Sequence, residues 1–162
     1  MSYRIVVDSC GELTKEMKES GNFVTASLGI DIQGYHIADD ETFDQADFLK
    51  RVAESPECPK SSCPSPERFM EAYHSDPEEV YVVTLSSHLS GSYNSAELGR
   101  NLYYEKYGEK KIHVVDSESA SCGETQLAMR IMRYKEAGLS FEETVERIEE
   151  FKRKMRTYFV LD

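Results

Sequence analysis

Three short apolar runs, at residues 5–7, 80–83 and 112–115, constrain the fold of this chain more than any other feature. Polar or turn residues bound each run, and none of the runs alternates strictly between apolar and polar positions. Such runs are typical of parallel β-strands that are buried on both faces of a sheet. Segments with helical periodicity separate the runs. We therefore predict an α/β fold, with a mainly parallel sheet and helices on both faces.

Apolar residues recur at helical spacing between and after these runs. The stripes that they form lie within residues 43–52, 93–107, 127–134 and 141–155. An amphipathic helix buries its apolar face, so we expect every stripe, including Leu49 of the first, to pack into the core.

Local signals mark the ends of several of these helices. Thr42 and Gln45 have the spacing of a capping box, which predicts a helix N-terminus at this point. Ser65 precedes Pro66, as in an N-cap followed by proline at the first helical position. Gly138 is predicted to end the helix before it.

Composition excludes several classes of function. The formal net charge is −11, with 30 acidic and 19 basic residues among 162, so we expect no nucleic-acid partner. The four cysteines contain no Cys-x-x-Cys pair and the four histidines lie far apart, so no metal site is predicted. Neither a secretory signal nor a membrane-spanning stretch is recognisable. We expect a cytoplasmic protein with free thiols and no membrane insertion.

Hydroxyl groups gather where the predicted strands end. Asp8–Ser9 follows the first run, Asp116–Ser117 follows the third, and Ser86 and Ser87 follow the second. The carboxyl ends of parallel strands meet at one edge of a sheet, which is where ligands bind. Each serine alone is explained by a helix cap or a turn, but their number indicates a binding site.

Two segments are richer in hydroxyls than the others. Residues 61–66 read Ser-Ser-Cys-Pro-Ser-Pro, and residues 86–92 read Ser-Ser-His-Leu-Ser-Gly-Ser. Serine hydroxyls and backbone amides in such turns can hold a carboxylate or phosphate oxygen. Gly91 would allow a ligand to approach the backbone closely.

These segments resemble the motifs of the DegV family, which includes the FakB fatty-acid-binding proteins of bacteria. Residues 61–65 are similar to the family's Thr-Ser-Gln-Pro-Ser motif, with Ser for Thr and Cys for Gln. Residues 85–93 resemble its Leu-Ser-Ser-x-Leu-Ser-Gly-Thr-Tyr motif, with Ser92 for the last Thr. Residues 116–123 resemble a third signature. The three motifs follow one another in the family's order, and the resemblance runs nearly end to end.

The resemblance implies a DegV N-terminal (EDD-like) domain that binds one long-chain fatty acid in a tunnel, without a cofactor. It implies no catalysis by this chain, which would present the fatty-acid carboxylate to a kinase of the FakA type. The residues that would bind the carboxylate are Ser61, Ser62, Ser90, Gly91 and Ser92. The residues whose loops would support them are Asp8, Ser9, Ser65, Asp116 and Ser117.

Family members have a second α/β domain that closes the tunnel. We expect residues 1–162 to be the N-terminal domain, with the second domain absent. An apolar wall left open in this way is expected to favour a dimer.

Three alternatives stay open. His88 lies close to several serines, as in a serine hydrolase, although no Gly-x-Ser-x-Gly elbow is present. A phosphate-metabolite binder would suit a parallel sheet with serine-rich loops, although neither Gly-x-Gly-x-x-Gly nor a Walker loop occurs. A purely structural or regulatory fragment is the third alternative.

Overall fold

The structure is a computed structural model that describes residues 2–160. Its strands are β1 (Tyr3–Asp8), β2 (Phe23–Ala26), β3 (Gly29–Ile32), β4 (Tyr35–Ala38), β5 (Lys60–Ser62), β6 (Glu79–Thr84) and β7 (Lys111–Asp116). Its helices are α1 (Lys15–Glu19), α2 (Gln45–Glu54), α3 (Pro66–Tyr73), α4 (Ser92–Tyr107), α5 (Cys122–Glu136) and α6 (Phe141–Lys154).

The main sheet is parallel throughout, with the strand order β2-β1-β6-β7. The three apolar runs form β1, β6 and β7, as predicted, and all six residues of β6 are buried. The edge strand β2 was not predicted. This order brings the carboxyl ends of β1, β6 and β7 side by side.

Helices cover both faces of the main sheet, as predicted. Ile5 and Val7 of β1 pack into a core with residues of α1, α5 and α6. Val6, which points the other way, packs into a second core with residues of α3 and α4. Burying one valine or isoleucine side chain stabilises the fold by about 1.5–3 kcal/mol. The strands that lead into the polar loops are therefore anchored by both cores.

The prediction of a capping box at Thr42 is wrong. Asp44 is the N-cap of α2, and its Oδ1 accepts hydrogen bonds from two amides of the first turn, both at 3.0 Å. Thr42 instead donates its hydroxyl proton to Asp40, at 2.6 Å. A carboxylate directly before the helix reaches the free amides better than a hydroxyl two residues earlier.

The prediction that all four apolar stripes are core is also wrong for α2. No residue of α2 is buried, and Leu49 is 57% exposed. Neither core includes a residue of this helix. The other stripes do supply core residues, namely Ala96, Tyr103, Leu127, Ile131 and Ile148.

A second, antiparallel sheet has the order β4-β3-β5 and was not predicted. Its strand β5 contains Ser61 and Ser62, so these two serines lie in a strand and not in a turn. Ser65 does cap α3, accepting a hydrogen bond from the amide of Arg68 at 3.4 Å. Gly138, with a φ of 81°, follows the end of α5 as predicted.

Candidate functional site

Asp8 lies at the carboxyl end of β1 and joins two of the polar loops. It is fully buried, and its Oδ2 accepts hydrogen bonds from the Leu85 amide at 2.8 Å and the Ser92 hydroxyl at 2.5 Å. Its Oδ1 accepts from the Cys10 amide at 3.2 Å. The carboxylate therefore ties the end of β1 to the serine-rich turn that follows β6.

Asp116 supports the same turn from the end of β7. Its carboxylate accepts hydrogen bonds from the Ser87 hydroxyl at 2.5 Å and from the amides of Ser87 and Glu118 at 3.0 and 3.2 Å. Burial alone would raise the pKa of Asp116, but these hydrogen bonds outweigh it and hold the pKa below its usual value. Asp116 is thus an ionised acceptor that anchors the turn.

Ser9 and Ser117 both act within the protein. The Ser9 hydroxyl accepts from the Leu28 amide at 3.0 Å, which links the loop after β1 to the start of β3. The buried Ser117 hydroxyl donates to the Ser119 carbonyl at 3.1 Å and closes a local turn. Their contacts are those of supporting residues.

The two hydroxyls beside Gly91 have different surroundings. Ser92 is fully buried and gives its only hydroxyl proton to Asp8. Ser90 is half-buried, and its Oγ accepts from the Ser92 amide at 3.2 Å. Among residues 2–160 no acceptor takes the Ser90 hydroxyl proton, so this proton is available to a ligand.

Ser61 and Ser62 lie on opposite faces of the second sheet. Ser61 pairs with Ile30, which pairs in turn with Ile37, and directly paired residues share a face. Ser61 therefore lies on an apolar face. Ser62 pairs with Gly29 on the other face and lines a pocket of about 300 Å³.

The polar face carries a histidine close to Ser62. A Cβ atom built on Gly29 would lie 2.6 Å from Ser62 Oγ and 2.7 Å from His36 Cε1, so the hydroxyl and the imidazole share the space above Gly29. The Nδ1 of His36 lies 2.9 Å from Asp31 Oδ1. His36 and Arg68 line the pocket together with Ser62.

The two serine-rich segments touch each other. The Sγ of Cys63 lies 3.2 Å from the position that a Cβ atom on Gly91 would occupy. The Ser95 hydroxyl donates to the Pro64 carbonyl at 2.6 Å and ties the segment 61–65 to the first turn of α4. The segment 61–65 thus lies beside the turn 86–92. By contrast, the imidazole of His88 forms no hydrogen bond with a described residue.

Glu124 lies beside this site and is not predicted by the sequence motifs. It lies in the first turn of α5 and is fully buried. Burial first, and then the charge of Asp8, raises the pKa of Glu124 to about 9. Its helical spacing from Leu127, Ala128 and Ile131 was a usable signal, because an acid in an apolar stripe is buried wherever that stripe packs into the core.

The part of the chain that the structure describes has neither a metal site nor a membrane-spanning helix. No group of three or more His, Cys, Asp or Glu side chains is arranged to hold a metal ion within residues 2–160. Over the same residues, no helix combines the length and the apolar character needed to cross a bilayer.

Solved structures share this fold. A DegV family protein from Ruminococcus gnavus, refined with vaccenic acid, is 55% identical with a TM-score of 0.92, covering 94% of this chain and 55% of that one. The Fatty Acid Kinase (Fak) B3 protein of Streptococcus pneumoniae, loaded with linoleic acid, is 32% identical with a TM-score of 0.83, covering 95% and 55%. These superpositions confirm the predicted DegV fold.

Sequence comparisons agree with the structures. A DegV domain-containing protein of Streptococcus pneumoniae is 34% identical over 163 residues, which are 99% of this chain and 58% of that protein. This chain thus spans a little more than half the length of its relatives. The DegV family model matches residues 2–162, nearly the whole sequence. The chain belongs to the DegV family.

Proposed function

We propose that this chain binds a long-chain fatty acid and holds its carboxylate where the segment 61–65 meets the turn 86–92. The observation that carries the proposal is that no acceptor among the described residues takes the Ser90 hydroxyl proton at this junction. The fatty acids bound in the two structural relatives support the same ligand class. A carboxylate has lone pairs to accept such a proton and needs no opposing full charge.

Ser90 and Ser61 are the two hydroxyls that we propose contact the carboxylate. Ser92 has already given its proton to Asp8, so it positions the turn. Ser61 shares its face of the second sheet with Ile30 and Ile37, and an acyl chain requires such an apolar surface. Gly91 is proposed to let the head group approach the backbone, and Ser62, on the polar face, is the less suitable member of its pair.

Most of the affinity is proposed to come from the acyl chain. About fifteen methylenes at ~0.8 kcal/mol each amount to roughly 12 kcal/mol of gross transfer free energy, against about 1.5 kcal/mol for each hydroxyl contact to the charged carboxylate. The exposed apolar stripe of α2 and the apolar face of the second sheet are the proposed walls. The hydroxyls then fix which end of the ligand faces outward.

Native mass spectrometry of the protein purified from cells tests this proposal. We expect a mass increase equal to one fatty acid, lost on delipidation. A bound nucleotide would favour the phosphate-metabolite alternative. An unliganded protein that also takes up no fatty acid when it is supplied would contradict the proposal.

We further propose that the chain is not itself the catalyst and presents the carboxylate to a fatty-acid kinase of the FakA type. The likeness to the Fak B3 protein supports this role. The test is acyl-phosphate formation from bound fatty acid, ATP and such a kinase. Product formed without the kinase would contradict a non-catalytic role. A cytoplasmic location and the assignment of residues 1–162 as the N-terminal domain stay predictions.

A second candidate function, a serine hydrolase, rests on Asp31, His36 and Ser62. The 2.9 Å contact from Asp31 to His36 Nδ1 orients the imidazole as in a catalytic triad. However, the described residues include no hydrogen bond from Ser62 to His36. A fluorophosphonate probe that labels Ser62 would favour this candidate, and an unlabelled protein would exclude it.

A further inference from the structure

Glu124 and Asp8 form a buried pair of acids beneath the serine-rich turn. Both side chains are fully buried. A Cβ atom on Gly11 would lie 3.3 Å from Glu124 Oε2 and 2.6 Å from Val7 Cγ1. The missing side chain at Gly11 therefore leaves room for the Glu124 carboxyl group against the end of β1.

No basic group balances this pair in the described part of the chain. The salt bridges of residues 2–160 involve neither Asp8 nor Glu124. The other titratable group that faces Glu124 is Cys10, whose pKa burial raises to about 11, so this thiol stays neutral at pH 7. Two ionised carboxylates here would be buried like charges, which is strongly unfavourable.

The hydrogen bonds show which acid carries the charge. Asp8 accepts from three donors, as an ionised carboxylate does. Neither carboxyl oxygen of Glu124 has a hydrogen-bond partner among the described residues. Two carboxylates can only accept, so Glu124 finds no partner in Asp8 until one of them is protonated. A proton on Glu124 turns it into a donor to Asp8.

We propose that Glu124 is a positioning residue that keeps its proton at neutral pH, donates it to Asp8, and so fixes the turn that carries Ser90. The link from Asp8 to this turn is direct, since Asp8 binds the Ser92 hydroxyl and the Ser92 amide binds Ser90 Oγ. The role rests on the proposed fatty-acid site. Loss of the proton would place two repelling charges under the turn and displace Ser90.

The pH dependence of fatty-acid binding tests this role. The folded pKa of Glu124, about 9, lies above its ordinary value of 4.5, so the proton is held at pH 8 and lost by pH 10. If binding requires the proton, affinity at pH 10 is about tenfold weaker than at pH 8. In Glu124→Gln, which keeps a neutral donor, we expect the pH 8 affinity to be retained at both pH values.

Glu136→Gln is the matched control, because Glu136 lies on the same helix and is exposed. This variant should show the wild-type pH profile. A carbonyl stretch of a protonated carboxyl group in the infrared spectrum at pH 7, absent from Glu124→Gln, reports the proton without any ligand.

The outcomes separate the two proposals. Absence of the infrared band from the wild type, or a Glu124→Gln profile that falls like the wild type, would overturn the positioning role alone. A wild-type protein that shows the band but binds no fatty acid at any pH would overturn the proposed function, and the positioning role with it.

Discussion

Single hydroxyl groups at the carboxyl edge of the main sheet differ in what they are free to do. Ser92 and Ser87 give their protons to buried or half-buried carboxylates. Within residues 2–160, no acceptor takes the Ser90 hydroxyl proton. Ser90 can therefore donate a hydrogen bond to a ligand, whereas Ser92 and Ser87 position the turn.

Removing the Ser90 hydroxyl should weaken fatty-acid binding with little effect on folding. We expect Ser90→Ala to lose about tenfold in affinity, because a hydrogen bond to a charged group contributes on the order of 1.5 kcal/mol. Titration calorimetry measures this. Ser20→Ala, an exposed serine of the helix α1 terminus, is the control and should bind like the wild type. Equal affinity of Ser90→Ala and the control would refute the assignment of Ser90.

Removing the Asp8 carboxylate should affect stability as well as binding. Asp8→Ala leaves the buried Ser92 hydroxyl and the Leu85 amide without their acceptor. An unpaired buried donor costs about 1–3 kcal/mol, so we expect the free energy of unfolding to fall by about 3 kcal/mol. Urea denaturation checks this value. A loss below about 1 kcal/mol would mean that the Asp8 contacts are replaceable.

Helix α2 forms where the sequence pattern predicts a helix, but it does not lie in the core as predicted. Its apolar stripe predicted a helix correctly and a core position wrongly, since Leu49 stays exposed. Periodicity reports that a face is apolar, and it does not report whether protein or ligand covers that face. We infer that the stripe belongs to the acyl-chain wall.

A charge on this stripe should therefore disturb ligand binding and leave folding intact. Leu49→Asp is expected to reduce fatty-acid affinity at least tenfold, with the free energy of unfolding changed by no more than about 0.5 kcal/mol. Leu98→Asp is the control, because Leu98 is 50% exposed, similar to Leu49, and lies on α4, which is not part of the proposed wall. Fluorescent fatty-acid displacement compares the two variants, and similar affinities would remove α2 from the proposed wall.

The hydrogen bond between His113 of β7 and Glu149 of α6 should make the stability of the fold depend on pH under acidic conditions. Hydrogen bonds from His113 and then Lys152 lower the pKa of Glu149 to about 2. A lowered carboxyl pKa stabilises the fold above the ordinary value of 4.5, and this contribution is lost as the pH falls toward 2. Urea denaturation should show that the free energy of unfolding falls between pH 4.5 and pH 2 by about 2 kcal/mol less in Glu149→Gln than in the wild type. Identical pH profiles would contradict this.

The parts of the fold that the sequence predicts are those with strong local signals. Continuous apolar runs predict β1, β6 and β7, and the polar residues after them predict the loops of the site. Strands of the second sheet have three or four residues and mixed polarity, so no periodicity distinguishes them from turns. The Glu124–Asp8 pair joins residues 116 positions apart, and only the sheet order brings them together.

Several large apolar side chains are exposed in the described part of the chain. Tyr35, Leu49, Tyr158 and Phe159 are between 54% and 85% exposed. We expect this surface to be covered by a second copy of the chain at high concentration. Size-exclusion chromatography with light scattering should give a mass that rises toward a dimer. A constant monomer mass over a hundredfold range of concentration would contradict this.

The proposed fatty-acid site requires hydroxyls from two separate segments to meet at one carboxylate. A crystal structure of the protein with a saturating long-chain fatty acid would locate that carboxylate. We predict the carboxylate within hydrogen-bond distance of both Ser90 Oγ and Ser61 Oγ, with the acyl chain along the apolar face of the second sheet. A carboxylate bound elsewhere, for example in the pocket beside Ser62 and His36, would show that Ser90 and Ser61 do not form the carboxylate site.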